Sequence, residues 1–215
     1  MLAKEEALKA IAGCGVIAVI RTESSAQAVA VATAIKEGGI TPIEITMTVP
    51  GALDALKEVG HLLKGTGLPG AGTVLDPETA RAAILSGAEF VVSPTLNLEV
   101  IKLCQRYDKV VIPGAFTPTE ILTAWEAGAD IVKVFPATVG GPQYFRDLKG
   151  PLPQIKLLPT GGVSLENTAE FIRAGAVAVA VGTALVDRQA VAEQRFEVIT
   201  ERARQFIEAV RQGRQ

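Results

Sequence analysis

Histidine is nearly missing from this chain: His61 is the single one in 215 residues. A metal centre built on histidines, or a Ser-His-Asp triad, is therefore hard to assemble. His61 lies near the end of a helical pattern and reads as a solvated residue. Cysteine is scarce too, with Cys14 and Cys104 far apart. They match no metal or redox spacing and read as small core residues of a cytosolic protein. No apolar stretch approaches the ~20 residues of a membrane span. The charged, helix-periodic start MLAKEEALKAIAGCG lacks the apolar region of a signal peptide. Charge of one sign is not in excess either. Lysine and arginine number 21 against 23 aspartates and glutamates, mixed along the chain. No basic face or run is left to hold nucleic acid. Linkers, low-complexity segments and a Gly-rich dinucleotide fingerprint are also lacking.

What the chain has is one phrase written repeatedly: an apolar, β-branched run, a small or polar residue, then an amphipathic helix. After a short leading helix over 4–12, strands are expected at 15–20, 42–47, 69–74, 89–93, 110–113, 130–135, 155–159 and 176–181. Helices are expected between them. Ser24 caps a helix over 25–37 that Gly38-Gly39 stops, and one over 52–63 follows Pro50-Gly51. Asp76-Pro77 opens the next, which ends at Gly87, and another spans 96–106. Thr117-Pro118 opens a helix that runs to Gly128, and a weaker one covers 140–148. Thr160-Gly161-Gly162 precedes a helix over 165–174, and a long polar helix over 191–212 ends the chain. Eight strand–helix units with 48% hydrophobic residues predict a (β/α)8 TIM barrel with a short extra N-terminal helix, as a single domain over 1–215. The near-continuous apolar strands agree, because parallel strands are buried on both faces. A doubly wound open sheet is the alternative.

In a barrel, chemistry sits at the C-terminal ends of the strands. Lys133, in the apolar run IVKVFP, has two readings: an amine that snorkels or pairs with a carboxylate, or a desolvated, partly neutral nucleophile. Glu44, between Ile43 and Ile45, would point into the same mouth, either as Lys133's ion-pair partner or as a proton shuttle beside it. Arg21, Thr46, Thr48, Thr73, Ser93, Pro94, Phe135 and Thr160 occupy the other strand ends. Gly161-Gly162 before a helix, together with Gly182-Thr183 after the eighth strand, offers backbone N–H groups for a phosphate.

GVIAVIR, PIEITMTVP, GAGTVL, GAEFVVSP, PGAFTPTE, VKVFPA, LPTGGV and VGTALV stand in order along nearly the whole chain. This series resembles the bacterial 2-keto-3-deoxy-6-phosphogluconate (KDPG) / 4-hydroxy-2-oxoglutarate (KHG) aldolases. The resemblance implies a class I aldolase on a (β/α)8 barrel, a cytoplasmic homotrimer acting on small keto acids without metal or cofactor. It implies that Lys133 forms a Schiff base with the keto carbon and that Glu44 is the acid/base, acting through water. Thr73 and Thr160 would hold substrate oxygens, Pro94 and Phe135 would wall the pocket, and Gly161, Gly162 and Thr183 would hold phosphate, with Gly182 beside them. One position departs: Thr48 stands where some members carry an arginine that holds the substrate carboxylate. That job falls to Arg21, to threonine hydroxyls or to backbone amides. Two other classes remain open on the residues alone. One is a phosphate-binding isomerase or transferase with Lys133 as a mere charge partner. The other is a barrel without chemistry that serves as a scaffold or ligand-binding module.

Overall fold

Helix α1 (Lys4–Cys14) leads into strand β1 (Val16–Ile20) in the computed structural model, which describes residues 3–215. The chain continues through α2 (Ser25–Glu37), β2 (Pro42–Thr46), α3 (Ala52–Leu62), β3 (Leu68–Gly72), α4 (Pro77–Leu85) and β4 (Phe90–Val92). Then come α5 (Leu98–Arg106), β5 (Val110–Ile112), β6 (Gly114–Ala115), α6 (Pro118–Glu126) and β7 (Val132–Val134). It ends with α7 (Gly141–Lys149), β8 (Leu157–Pro159), α8 (Leu165–Arg173), β9 (Val179–Val181), α9 (Arg188–Ala192) and α10 (Phe196–Arg214). Among the described residues, no helix is long and apolar enough to cross a membrane.

The helix starts follow local side-chain chemistry. Ser24 accepts from Gln27 N, Asp76 from Thr79 N at 2.6 Å, and Asn97 from Glu99 N and Val100 N. Thr117 and Glu120 form a reciprocal capping box ahead of Pro118. Each cap satisfies orphan N–H groups of a first turn, which is why strand-to-helix turns could be located without tertiary information.

The strands pair in parallel in two sheets, one ordered β5-β4-β3-β2-β1-β9 and one ordered β6-β7-β8. Two isolated parallel bridges, Leu157 with Ala176 and Thr160 with Ala180, link β8 to the β9 side. The fold is thus α/β with a long parallel sheet and a short one. Two expected elements come out divided. The strand over 110–113 is interrupted at Pro113, which lacks an N–H for the ladder, and the chain resumes as β6 in the second sheet. The helix expected over 191–212 is two helices, α9 and α10. Between them Gln194 adopts φ 56°, in the left-handed region that an α-helix does not continue through.

Side chains alternate along each strand, so each strand feeds two cores. One parity, including Ile43, Ile45, Val132 and Val134, packs against the helices. The other parity brings Ile17, Leu68, Phe90, Val92, Val110, Ile112, Leu158, Ala178 and Ala180 into a smaller cluster with Ala7 and Ile11 of α1. The leading helix therefore fills the N-terminal end of the strands' inner face. Glu44 and Lys133 share the parity of this inner set.

Candidate active site

Glu44 stands in register between Val19 of β1 and Gly70 of β3. Its side chain is 1% exposed, and it has room because β3 is glycine where they meet. A Cβ on Gly72 would lie 1.7 Å from Glu44 Oε1. Lys133 is paired with Gly114 and Leu158 and is 6% exposed. Gly114 allows the Pro94 loop to close over it, since a Cβ there would lie 2.3 Å from the Pro94 carbonyl.

A cavity of about 240 Å³ opens at these strand ends. Arg21, Glu44, Thr73, Pro94, Lys133, Phe135, Thr160, Gly161, Gly162, Gly182 and Thr183 all line it. Eleven sequence-chosen residues from seven strand ends thus converge on one space. Thr46, Thr48 and Ser93, also at strand ends, are not part of the lining. Thr48 is exposed and bonded to Thr46 Oγ1 at 2.8 Å. Thr46 Oγ1 also bonds the Ile20 carbonyl, which ties the β2 turn to β1. Thr73 holds φ 59°, an unusual conformation for a threonine, and backbone of this kind is commonly found at functional sites.

Lys133 and Glu44 are absent from the ion pairs formed within 4.0 Å by the described residues. The Lys133 ammonium instead lies 5.0 Å from the centre of the Phe135 ring. Burial holds the lysine below its usual pKa; the Glu44 charge opposes this and Arg21 adds to it. Burial likewise pushes the Glu44 carboxyl above its usual range, against the pull of Lys133 and Arg21. Glu44 Oε2 and Thr160 Oγ1 are buried in this lining without a hydrogen-bond partner, as is Ser93 Oγ next to Pro94. Unsatisfied buried polar atoms are uncommon in folded proteins and here point into a site built to receive polar atoms.

Just beyond the end of β8, Gly161 and Gly162 take φ 83° and 74° ahead of α8. A Cβ on Gly162 would lie 2.0 Å from Thr138 Cγ2, so glycine is required twice over. Asn167 donates to the Gly162 carbonyl and accepts from Ser164 N, each at 2.8 Å, locking the loop. The N–H group of Gly161 faces Ala180 in the bridge between β8 and β9, while those of Gly162 and Val163 have no hydrogen-bond partner among the described residues. They lie at a helix N-terminus beside Thr183, an arrangement suited to an anion.

Arg188, at the first position of α9, also lines the cavity, with Val19, Val163, Ala180 and Val186. The sequence pattern, which starts the terminal helix at 191, does not point to it. Asp187 was the available signal: its side chain accepts from Ala190 N at 2.9 Å, an N-cap that starts α9 earlier.

A family model described as "Aldolase: KDPG and KHG aldolase" matches residues 7–202, and the chain belongs to this family. It is 35% identical over 198 residues to a 2-dehydro-3-deoxy-6-phosphogalactonate aldolase of Escherichia coli K12, covering 92% of this chain and 95% of the relative. Among solved structures, it matches a KDPG aldolase from Legionella pneumophila with pyruvate captured as a covalent carbinolamine. That match has a TM-score of 0.85 and 30% identity, over 92% of this chain and 96% of that one. It also matches a chain of a protein cage designed by fusing symmetric oligomeric domains, with a TM-score of 0.86 and 34% identity, over 93% of this chain and 73% of that one.

Proposed function

We propose that this protein is a class I aldolase that cleaves KDPG to pyruvate and glyceraldehyde 3-phosphate, and KHG to pyruvate and glyoxylate. The observation that carries the reading is a buried lysine with no carboxylate partner, held at one end of a cavity that also contains a buried, unsatisfied glutamate. A lysine kept for structure would be paired.

Lys133 in its neutral form attacks the C2 carbonyl, and the carbinolamine loses water to give an iminium ion. That cation is the electron sink. Glu44, through a water, takes the proton from the C4 hydroxyl, and the C3–C4 bonding pair moves into an enamine as the aldehyde departs. The enamine takes a proton at C3, and water hydrolyses the imine to release pyruvate and free Lys133. No metal is required, because the iminium withdraws the electrons. Arg21 neutralises the keto acid carboxylate, in place of the arginine that Thr48 replaces in the family pattern. Thr73 and Thr160 bind substrate oxygens, while Pro94 and Phe135 wall the reacting carbons. Gly161, Gly162, Gly182 and Thr183 hold the phosphate, whose remote binding orients the scissile bond.

The same reading makes residues 1–215 one domain. β5 and β6 act as one strand bent at Pro113, so that the two sheets and the bridges at β8 close as an eight-stranded barrel. The assembly is a homotrimer in the cytoplasm, a reading supported by the family resemblance and, for assembly, by the match to a cage of oligomeric domains.

Borohydride reduction in the presence of pyruvate, followed by peptide mass analysis, tests the chemistry. A stable pyruvyl-derived adduct on Lys133 is the expected result. A folded protein that yields no adduct would overturn the imine mechanism and return the choice to a phosphate-binding isomerase or transferase.

A further inference from the structure

Arg188 stands at a junction. It lines the main cavity and also a side pocket of about 240 Å³ that adjoins it, lined by Arg21, Thr22, Glu23, Gln27, Val186, Val191 and Ala192. Arg21 and Arg188 thus flank the passage between the two spaces. Neither takes part in an ion pair formed by the described residues, although other arginines of the same region do.

The nearest acidic group in sequence is already engaged. Asp187 bonds Ala190 N and lies 3.1 Å from Arg202 of α10. That pair fixes α9 to α10 and leaves the Arg188 guanidinium without a competing carboxylate from its own helix. Glu23 is the one acidic side chain lining the side pocket, against the two guanidiniums of Arg21 and Arg188.

The two arginines are not equivalent. The Arg21 charge acts on both Glu44 and Lys133, which places it at the reacting end of the cavity. Arg188 lies five residues after Thr183 and lines the same cavity as Gly161, Gly162 and Val163.

We propose that Arg188 is a further binding residue: its guanidinium joins the backbone N–H groups of Gly162 and Val163 and the Thr183 hydroxyl around the distal phosphate, and so sets the preference for a phosphorylated over a dicarboxylic keto acid. This rests on the aldolase reading for the identity of the substrate. Backbone N–H groups supply partial charges only. A guanidinium supplies a full charge and two parallel donors that match two phosphate oxygens. Division of labour follows: Arg21 meets the carboxylate beside the reacting carbon, and Arg188 meets the dianion several bonds away. The shorter KHG ends in a carboxylate that stops short of Arg188.

The test compares wild type, Arg188→Ala and Arg188→Lys on KDPG and on KHG, with calorimetric titration of inorganic phosphate beside it. Arg188 is exposed, so the variants fold. The expected result is a rise of about tenfold in KM for KDPG in the alanine variant, the scale of a lost charged contact. That rise exceeds the one for KHG several-fold, and kcat falls by a smaller factor than KM rises, because the backbone N–H groups still orient the phosphate. Lysine restores part of the loss as a point charge. Phosphate affinity falls by a similar factor, and this readout needs no catalysis. Equal KM changes on both acids, or unchanged phosphate binding, would overturn the role of Arg188 while leaving the aldolase intact. Failure of the wild type to cleave either acid would instead sink the aldolase reading, and phosphate titration would still decide the anion site.

Discussion

At the N-terminal end of the strands, Lys109 lies against Glu89, and Lys4 lies 3.0 Å from Asp130. Asp130 also accepts from Val111 N. At the C-terminal end, Lys133 and Glu44 are also buried, at 6% and 1% exposure, and have no such partners. The same residue types therefore do two jobs within one set of strands. Where charge is only to be tolerated, each ammonium meets a carboxylate and the cost of burial is offset. In the proposed mechanism the reacting amine is desolvated and unpaired, and the folded state carries the penalty. Cavity size does not mark the difference. A wider groove of about 750 Å³, lined by Lys57, His61, Lys64 and Glu89, opens at the opposite end of β3, and none of the unsatisfied buried polar atoms lies among its lining residues.

The largest expected effect separates the two lysines by what they cost. Lys133→Ala abolishes the borohydride-trapped adduct and lowers kcat by several orders of magnitude, as loss of a nucleophile does, while the circular dichroism spectrum is kept. Retained turnover in that variant would erase the contrast. Gly72→Ala is next. Its Cβ displaces the Glu44 carboxylate, and kcat falls by about 10²-fold, the lower range for a lost acid–base group. Wild-type kcat there would show that the position of Glu44 is not critical.

Lys109→Met sharpens the comparison from the other side. It leaves Glu89 without its partner and costs roughly 2–3 kcal/mol of stability in denaturant titration. The kcat of the remaining folded protein is unaltered. A fall in kcat with unchanged stability would place the paired end in the chemistry as well.

The smallest effect is a pH dependence. Glu44 has a folded-state pKa raised by burial above its usual 4.5. Its contribution to stability is therefore fully present below the unfolded value and is lost as pH rises through the raised folded value. Glu44→Gln removes that loss. The variant should match wild type in melting temperature near pH 4. At higher pH it should exceed wild type by about 1 kcal/mol, or ~2–4 °C. A Tm difference that does not change with pH would mean that Glu44 is not penalised by burial. The lysine shows the opposite sign in its reactivity. The fraction of neutral Lys133 grows as pH rises through its lowered pKa, so adduct formation should reach its plateau below the usual value of 10.5.

The order of elements was readable from the chain because its signals are local. Ser24, Asp76 and Thr117 satisfy N–H groups within their own first turns. Period-two and helical patterns are likewise properties of short segments. Strand ends could be named for the same reason, and Arg21, Glu44, Lys133 and Gly161-Gly162 were found there. Thr48 could not be judged this way: it lies two residues beyond β2, in a turn whose direction the bond to Thr46 sets.

Whether Lys133 is paired or free was beyond the chain itself. Both readings fit the same residues, and only the placement of β2 relative to β7 leaves amine and carboxylate sharing a cavity without an ion pair. The break at Pro113, the division of the last helix at Gln194 and the place of Arg188 in the cavity lining likewise depend on sheet register and helix docking. The amino-acid sequence by itself determined the strand–helix order, the caps and the residue types at the strand ends, since each depends on neighbours a few positions away. Tertiary structure alone decided which of those residues meet and which charges go unpaired, because distance and dielectric are properties of the packed molecule.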